Sequence, residues 1–195
     1  MIDSRLAHIA AAVRAHAPTV AERDEPFWES AVVLLLREGK GGVPEMLFIQ
    51  RAVREGDPWS GQVALPGGRR DDGEPDLADT ALRETMEETG IDIRAHGELI
   101  GPLDELRPRT PVLPPVIVRP FVATLATTPS IVLSDEVASH FWVPLDVLFD
   151  PANTRKTRVR TRGAFWIWRD AIHIDEHLIW GLTEVILRTF ARVTR

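Results

Sequence analysis

The stretch of residues 65–91 constrains this chain more than any other. It contains a glycine pair at Gly67 and Gly68, a short acidic loop, and a segment with the periodicity of a helix. Asp76 is suited to cap the start of the helix, and Gly90 readily adopts the left-handed conformation that ends one. The spacing predicts a buried stripe on this helix, formed by Ala78, Ala81, Leu82, Thr85 and Met86.

Three glutamates of the same helix, Glu84, Glu87 and Glu88, stand at positions i, i+3 and i+4, so their carboxylates share one face. Arg83 lies beside them and can reach Glu87 one turn later. Repulsion between such carboxylates costs roughly a few tenths of a kcal/mol on a solvated helix, but about 4 kcal/mol at about 4 Å and an effective dielectric constant of about 20. A partly buried cluster therefore favours a divalent cation, and oxygen ligands suit Mg²⁺ or Mn²⁺.

An alternative explanation is a solvated helix face with intrahelical ion pairs, since charge runs of this kind are common on helices. The neighbouring sequence favours a ligand or metal site instead. The glycine pair follows a strand-like run and leads through a short loop into the helix, and glycine permits close approach of a ligand or metal to the backbone.

The spacing of these residues resembles the Nudix box, the signature of hydrolases that cleave nucleoside diphosphates linked to another moiety. Five residues separate Gly68 from Glu74, eight separate Glu74 from Arg83, and the run from Arg83 to Ile91 reads RETMEETGI. The sequence departs from the usual box at two points. The second gap is one residue longer than usual, and Thr85 stands where an aliphatic residue is more usual.

The resemblance implies an α/β protein with the Nudix fold, in which a mixed β-sheet is sandwiched between α-helices (α/β/α). Residues 1–29 are expected to form an added N-terminal helix and a connector, and residues 30–195 a single Nudix hydrolase domain with its box at residues 68–91. The implied metal ligands are Glu84, Glu88, Glu87 and, through a backbone oxygen, Gly68. The implied catalytic residues are Glu87, Arg83, which holds the glutamates in place, and Glu136, a supplementary ligand or general base whose alternative role is that of a turn carboxylate.

Further segments resemble the coenzyme A pyrophosphatase branch of the Nudix family. Residues 47–52, LFIQRA, and residues 61–68, GQVALPGG, resemble the two halves of its extended motif, and residues 179–183, IWGLT, resemble the branch again. The loop between the two halves matches less closely, because it is one residue longer than expected. The implied substrate-binding residues are Arg51, Arg54, Trp59 and Arg69; the alternative role of Trp59 is a hydrophobic lid on the loop base.

Composition excludes several other classes of function. The chain has no cysteine, which excludes disulfides, thiolate nucleophiles and cysteine-ligated zinc. The absence of cysteine is compatible with the reducing cytoplasm, where we expect the protein to act. The formal net charge of -6 argues against sequence-independent nucleic-acid binding. No apolar run is long enough to span a membrane. We expect a small-molecule substrate, no nucleic-acid or membrane partner, and leave a homodimer open.

The rest of the sequence predicts the surroundings of the site. A proline-rich loop at residues 102–115 carries Arg107 and Arg109, which could bind phosphate or be ordinary surface arginines. Trp166 and Trp168 are expected in the core; the alternative is that they stack on a ligand. Strands are expected at 30–36, 45–51, 62–65, 98–101 and 116–125 and within 134–145, where Glu136 stands at the start of the strand. A hairpin is expected at 157–168, continued at 171–174, and amphipathic helices at both ends of the chain.

The resemblance implies metal-dependent hydrolysis of a pyrophosphate linkage. In the coenzyme A branch, the substrate is coenzyme A or a derivative such as acyl-CoA, and the products are 4'-phosphopantetheine and adenosine 3',5'-bisphosphate. An ADP-ribose, dinucleotide or oxidised-nucleotide pyrophosphatase is the alternative among enzymes. A catalytically silent Nudix scaffold acting as a ligand sensor is the alternative of another class, and the intact acidic helix face argues against it.

Overall fold

The computed structural model describes residues 4–56, 59–108, 115–160 and 166–195, and for Arg160 it describes only the backbone. Two β-sheets and five α-helices form this part of the chain. The strands are β1 (Trp28–Glu38), β2 (Pro44–Arg51), β3 (Val63–Ala64), β4 (Gly67–Arg69), β5 (Gly97–Pro102), β6 (Val116–Leu125), β7 (Val137–Pro144), β8 (Thr154–Arg160), β9 (Trp166–Ile174) and β10 (His177–Trp180). The helices are α1 (Arg5–Ala15), α2 (Leu77–Thr89), α3 (Ile93–His96), α4 (Leu145–Leu148) and α5 (Leu182–Val193). None of the described helices is long and apolar enough to cross a membrane.

The main sheet has seven strands in a mixed arrangement. Its central order is β3-β2-β1-β6-β5, while β4 also pairs with β1 and β7 also pairs with β2. The long pair β1–β6 is parallel and the other pairs are antiparallel. β1 carries the continuous apolar run Val33–Leu36, which is fully buried because the sheet is covered on both faces.

Helices cover both faces of the main sheet, as the Nudix resemblance implies. On one face, Leu77 and Ala81 of α2 pack with Leu35 of β1 in one hydrophobic core. On the other face, Val13 of α1 and Phe190 of α5 join a second, larger core. The α/β/α architecture is therefore confirmed, and α1 shares a core with the sheet.

A smaller sheet, in the order β10-β9-β8, contains the expected hairpin. The prediction that its tryptophans lie in the core is wrong, because the side of β9 that carries them is open to solvent. Trp166 and Trp168 are 54% and 65% exposed. Alternation along the strand placed both residues on the same side, and the sequence did not reveal which side is covered.

The loop after β5 binds the connector that follows α1. Asp104 accepts hydrogen bonds from the backbone N–H of Thr19 at 2.8 Å and from Arg192 at 2.5 Å, and it lies 2.9 Å from His16. The adjacent Glu105 accepts hydrogen bonds from the backbone N–H of Ala21, from Arg23 and from Arg119 of β6. Two neighbouring carboxylates thus fix the connector against the main sheet.

Candidate active site

A pair of glycines brings β4 against the acidic helix. Antiparallel pairing places Gly68 opposite Ala31 and Gly67 opposite Val32 of β1. Gly67 has a φ of 149°, and a Cβ atom there would collide with the backbone of β1. At Gly68 a Cβ atom would collide with the carboxylate of Glu84. Glycine at both positions therefore lets the backbone of β4 lie between β1 and the glutamates of α2.

Helix α2 begins and ends where the sequence predicts. The Asp76 side chain accepts hydrogen bonds from the backbone N–H groups of Ala78 and Asp79, and Gly90 has a φ of 71° in the left-handed region. The expected stripe is wrong at Met86, which is 50% exposed. Thr85 is fully buried and donates its hydroxyl to the carbonyl of Ala81 at 2.8 Å. This hydrogen bond satisfies a polar residue where the usual box has an aliphatic one.

The three glutamates of α2 differ in exposure. The side chain of Glu88 is 5% exposed, that of Glu84 16%, and that of Glu87 57%. Glu88 accepts a hydrogen bond from the backbone N–H of Gly67 at 2.9 Å, and an Nη atom of Arg51 lies 3.9 Å from its other oxygen. Two carboxylates therefore face inward beside β4, and the third lies toward solvent.

Burial controls the acidity of the two inner carboxyl groups. It raises the pKa of Glu88 to about 7, and the nearby charges of Glu84 and Glu136 act in the same direction. It also raises the pKa of Glu84, where the guanidinium of Arg83 opposes the effect. A bound cation would offset this loss of solvation, because its charge favours the ionised form.

Arg83 joins the carboxylates of the box, as expected. Its Nε atom donates to Glu74 at 2.8 Å and one Nη atom to Glu87 at 2.8 Å. The other Nη atom lies 3.0 Å from Glu84 and donates to the backbone carbonyl of Arg69 at 3.0 Å. One guanidinium group thus links the loop, the helix and β4.

The carboxylate of Glu74 is held by several hydrogen bonds, although the spacing from Glu74 to Arg83 in the sequence is one residue longer than usual. Besides Arg83, its carboxylate accepts hydrogen bonds from the Thr80 hydroxyl at 2.6 Å and from the Asp71 backbone N–H at 2.9 Å. Burial alone would raise the pKa of Glu74, but these hydrogen bonds outweigh it and lower the pKa to about 2. Glu74 is therefore a structural anion of the loop.

Arg70 supports the same loop, and sequence reasoning did not identify it. Its guanidinium donates to the backbone carbonyl of Glu74 at 2.7 Å and of Pro75 at 3.1 Å, and to the carboxylate of Glu29 in β1 at 2.6 Å. The loop is thus tied to the main sheet. The only available signal was its position within the box, next to Arg69.

The chemical type of the donors suits a hard divalent cation, since all are oxygen atoms and burial has removed solvation from both inner carboxylates. These donors do not point to one common position. Among the described residues, no group of three or more His, Asp or Glu side chains is arranged to hold a metal ion. Glu88 is hydrogen-bonded to Gly67, while Glu84 and Glu87 are paired with Arg83. Holding a cation with all three would require these carboxylates to reorient.

Glu136 lies close enough to Glu88 for its charge to affect that residue. Its own side chain is about half exposed and accepts a hydrogen bond from Arg54 at 2.9 Å, and Arg54 also lies 3.1 Å from Asp135. The backbone carbonyl of Glu136 accepts from Ala52 at 2.8 Å. The structure therefore brings Glu136 and Arg54 together beside the acidic cluster.

A cleft of about 560 Å³ adjoins the cluster and is lined on this side by Arg51, Trp59, Gly67 and Gly68. Its other walls come from β6, β9, β10 and the start of α5. Most of its lining is apolar, including Val32, Val63, Leu65, Val118, Trp180 and Ile186. The carboxylates of α2 thus lie beside a cleft large enough for part of a small organic ligand.

Glu184 in the cleft wall is a second residue that sequence reasoning missed. Its side chain is buried and lies 3.0 Å from Arg188 one turn later on α5. Burial raises the pKa of Glu184, and the Arg188 charge opposes this. An acidic residue in the first turn of an amphipathic helix was the available signal.

The remaining predicted arginines have different surroundings. Arg69 is exposed and lies over the ring of Trp28. Arg107 is not brought to the cleft: it donates to the carbonyl of Glu22 at 2.6 Å and pairs with Asp24 and Glu25 of the connector. Its side chain is only 7% exposed, so it also differs from the ordinary surface arginine that was the alternative. Arg109 lies outside the described residues.

A larger cavity, of about 790 Å³, lies between α1, α4 and α5 and is lined by Arg5, His8, Asp146 and Phe190 among others. It contains none of the predicted site residues. Of these two cavities among the described residues, the smaller cleft adjoins the acidic cluster and is the candidate active site.

Comparison with solved structures supports the fold. A MutT/nudix family protein from Enterococcus faecalis superposes with a TM-score of 0.56 at 21% identity, over 89% of this chain and 64% of that one. This likeness concerns the fold alone.

Comparison of sequences identifies the family. An uncharacterised protein of Schizosaccharomyces pombe is 42% identical over 118 residues, covering 58% of this chain and 36% of that protein. The human protein named mitochondrial coenzyme A diphosphatase NUDT8 is 32% identical over 159 residues, covering 80% of this chain and 66% of that protein. The chain thus spans less than two thirds of the length of these relatives. The NUDIX domain model matches residues 27–162, more than half of the chain, and the chain therefore belongs to the NUDIX family.

Proposed function

We propose that this protein is a pyrophosphohydrolase that cleaves a nucleoside-diphosphate-linked small molecule with the help of a divalent metal ion. The observation that carries the proposal is the position of Glu84 and Glu88, buried against the glycine backbone of β4 at the edge of an apolar cleft. In the reaction, water attacks one phosphorus atom of the P–O–P bridge. One P–O bond breaks, and the products are two phosphomonoesters and a released proton.

Glu84 and Glu88 would hold the cation, with Glu87 and the backbone oxygen of Gly68 as further ligands. The bound cation, Mg²⁺ or Mn²⁺, would neutralise phosphate charge and lower the pKa of the attacking water. Arg83 positions Glu84 and Glu87 through its ion pairs. Glu87 or Glu136 takes the proton from water, since both carboxylates reach solvent beside the cluster.

The proposed substrate is coenzyme A or an acyl-CoA, which gives 4'-phosphopantetheine and adenosine 3',5'-bisphosphate. Two observations support this choice. The human relative is named a coenzyme A diphosphatase. The apolar lining of the cleft suits a long, weakly polar arm, while Arg51 at its acidic end can pair with phosphate.

A substrate panel tests the proposal. Coenzyme A, an acyl-CoA, ADP-ribose, NADH and 8-oxo-dGTP are compared at equal concentration with Mg²⁺ and with Mn²⁺, and products are separated by chromatography. We expect the highest kcat/KM for the two coenzyme A substrates. Preference for any of the other three would overturn the substrate assignment, and no turnover of any of them would favour the ligand sensor.

We also propose that the protein acts in the cytoplasm, in keeping with its lack of cysteine, although the human relative is named as mitochondrial. Fractionation of producing cells tests this. Light scattering at several protein concentrations tests the homodimer that the sequence leaves open.

A further inference from the structure

Trp28 is a large aromatic residue that the catalytic assignment leaves without a role. It is the first residue of β1 and is 45% exposed. The guanidinium carbon of Arg69 lies 4.3 Å from the centre of its ring, so the arginine covers part of the indole in a cation–π contact. The indole is thus partly covered by a guanidinium and partly open to solvent.

The indole lies on the same face of the sheet as the cleft. Side chains alternate along a strand, so Trp28 shares its face of β1 with Ser30 and Val32, which both line the cleft. The residue opposite Trp28 on β6 is Val116, another residue of the cleft wall. Trp28 therefore stands at the end of the cleft wall, where β1 enters the sheet.

Arg69 connects this position to the acidic cluster. It follows Gly68 in β4 and lies opposite Ser30. Its backbone carbonyl accepts a hydrogen bond from Arg83, the residue that joins the carboxylates. A group resting on Trp28 and Arg69 would thus be one strand residue away from the glycine backbone that faces Glu84.

We propose that Trp28 and Arg69 form a stacking platform for the nucleobase of the substrate. Aromatic rings and arginine planes are the surfaces on which proteins stack bases, because every base has a π-face. The diphosphate then lies at the carboxylates of α2, and the apolar cleft is left for the other half of the molecule. The inference rests on the proposed function only in requiring that the substrate contain a nucleobase.

Binding of ADP in the presence of Mg²⁺, measured by calorimetry, tests the platform without turnover. We expect Trp28→Leu and Trp28→Ala to weaken ADP binding by about 10-fold, the loss typical of one stacked base, and Trp28→Phe to retain most of the affinity. Binding of inorganic pyrophosphate, which has no base, should remain within about 2-fold. Trp168→Leu is the matched control, since this tryptophan is also exposed but lies on the small sheet.

Steady-state kinetics provide a second readout. In Trp28→Leu we expect KM for the best substrate of the panel to rise by about 10-fold with kcat nearly unchanged. The platform is overturned if Trp28→Leu binds ADP as tightly as the unaltered protein, or if its affinity for pyrophosphate falls as much as its affinity for ADP. If no pyrophosphate substrate is turned over, the proposed function fails, while the ADP measurement still decides the platform.

Discussion

The Nε atom of Arg83 on α2 lies 2.8 Å from a carboxylate oxygen of Glu74, although the loop between them is one residue longer than the usual Nudix spacing. The extra residue does not separate the two groups, because Arg70 holds the loop from its other side.

Replacing Glu74 with Gln should lower the free energy of unfolding at pH 7 by about 2 kcal/mol, the contribution of a hydrogen bond to a charged group. The pKa of Glu74 is about 2 in the folded protein, below its ordinary value of 4.5. Its contribution is therefore fully present above about pH 4.5 and is lost as the pH falls toward 2. Urea unfolding at several pH values measures this difference, with the exposed Glu55→Gln as control. A difference that did not shrink in acid would contradict the assignment.

Glu88→Gln should abolish metal-dependent turnover while leaving the fold intact. The buried carboxylate is replaced by a neutral group of the same shape, so the metal-free protein should not lose stability. We expect kcat to fall by more than about 100-fold, since even residues that only support metal ligands cost about 10- to 100-fold. Thermal unfolding with and without Mn²⁺ should show that the variant has lost its stabilisation by metal. Met86→Gln on the exposed side of α2 is the control and should retain activity.

Gly68→Ala should displace the carboxylate of Glu84 without unfolding the protein. The added methyl group would meet the end of a flexible side chain, which can move, and φ at Gly68 lies outside the left-handed region. We expect affinity for Mn²⁺, measured by electron paramagnetic resonance, to fall by about 10-fold or more. Gly101→Ala serves as control, because its new methyl group would make only an ordinary contact of 3.6 Å with Val13. Equal Mn²⁺ affinities in the two variants would refute this effect.

Arg70→Ala should loosen the loop that carries Glu74. Three hydrogen bonds to the loop backbone and the ion pair with Glu29 are lost at once. We expect faster amide hydrogen exchange at residues 70–76 and a kcat reduced by about 10-fold, because the supporting residues of a site typically have effects of this size. Arg94→Ala removes an exposed ion pair between α3 and Asp79 of α2 and should change neither quantity. Unaltered exchange in Arg70→Ala would show that the loop is held by Glu74 alone.

Local chemistry explains what the sequence predicted well. The ends of α2 follow from Asp76 and Gly90, each of which acts within its own turn of the chain. The ion pair between Arg83 and Glu87 follows from helical spacing. The mixed sheet that the Nudix resemblance implies is confirmed, with β1 parallel to β6 and antiparallel to β2.

The remaining features depend on contacts between distant segments. Met86 fits the spacing of an apolar stripe, but it is exposed, whereas Thr85 and Glu88 of the same helix are buried. Trp168 fits an alternating strand, but one side of that sheet is open to solvent. Arg107 pairs with acidic residues of the connector, and Glu25 lies 82 residues earlier in the chain. No local pattern contains this information.

Asp104 and Glu105 have a consequence for variation in the N-terminal segment. The side chain of Glu105 is almost fully buried, and its bonding partners Ala21 and Arg23 belong to the connector. Loss of the connector would leave Arg119 of β6 as the partner of this buried acid, in the loop that continues to Pro108, a residue of the cleft wall. Substitutions near residue 20 are therefore expected to affect the loop that reaches the cleft, and the N-terminal segment and the cleft are expected to evolve together.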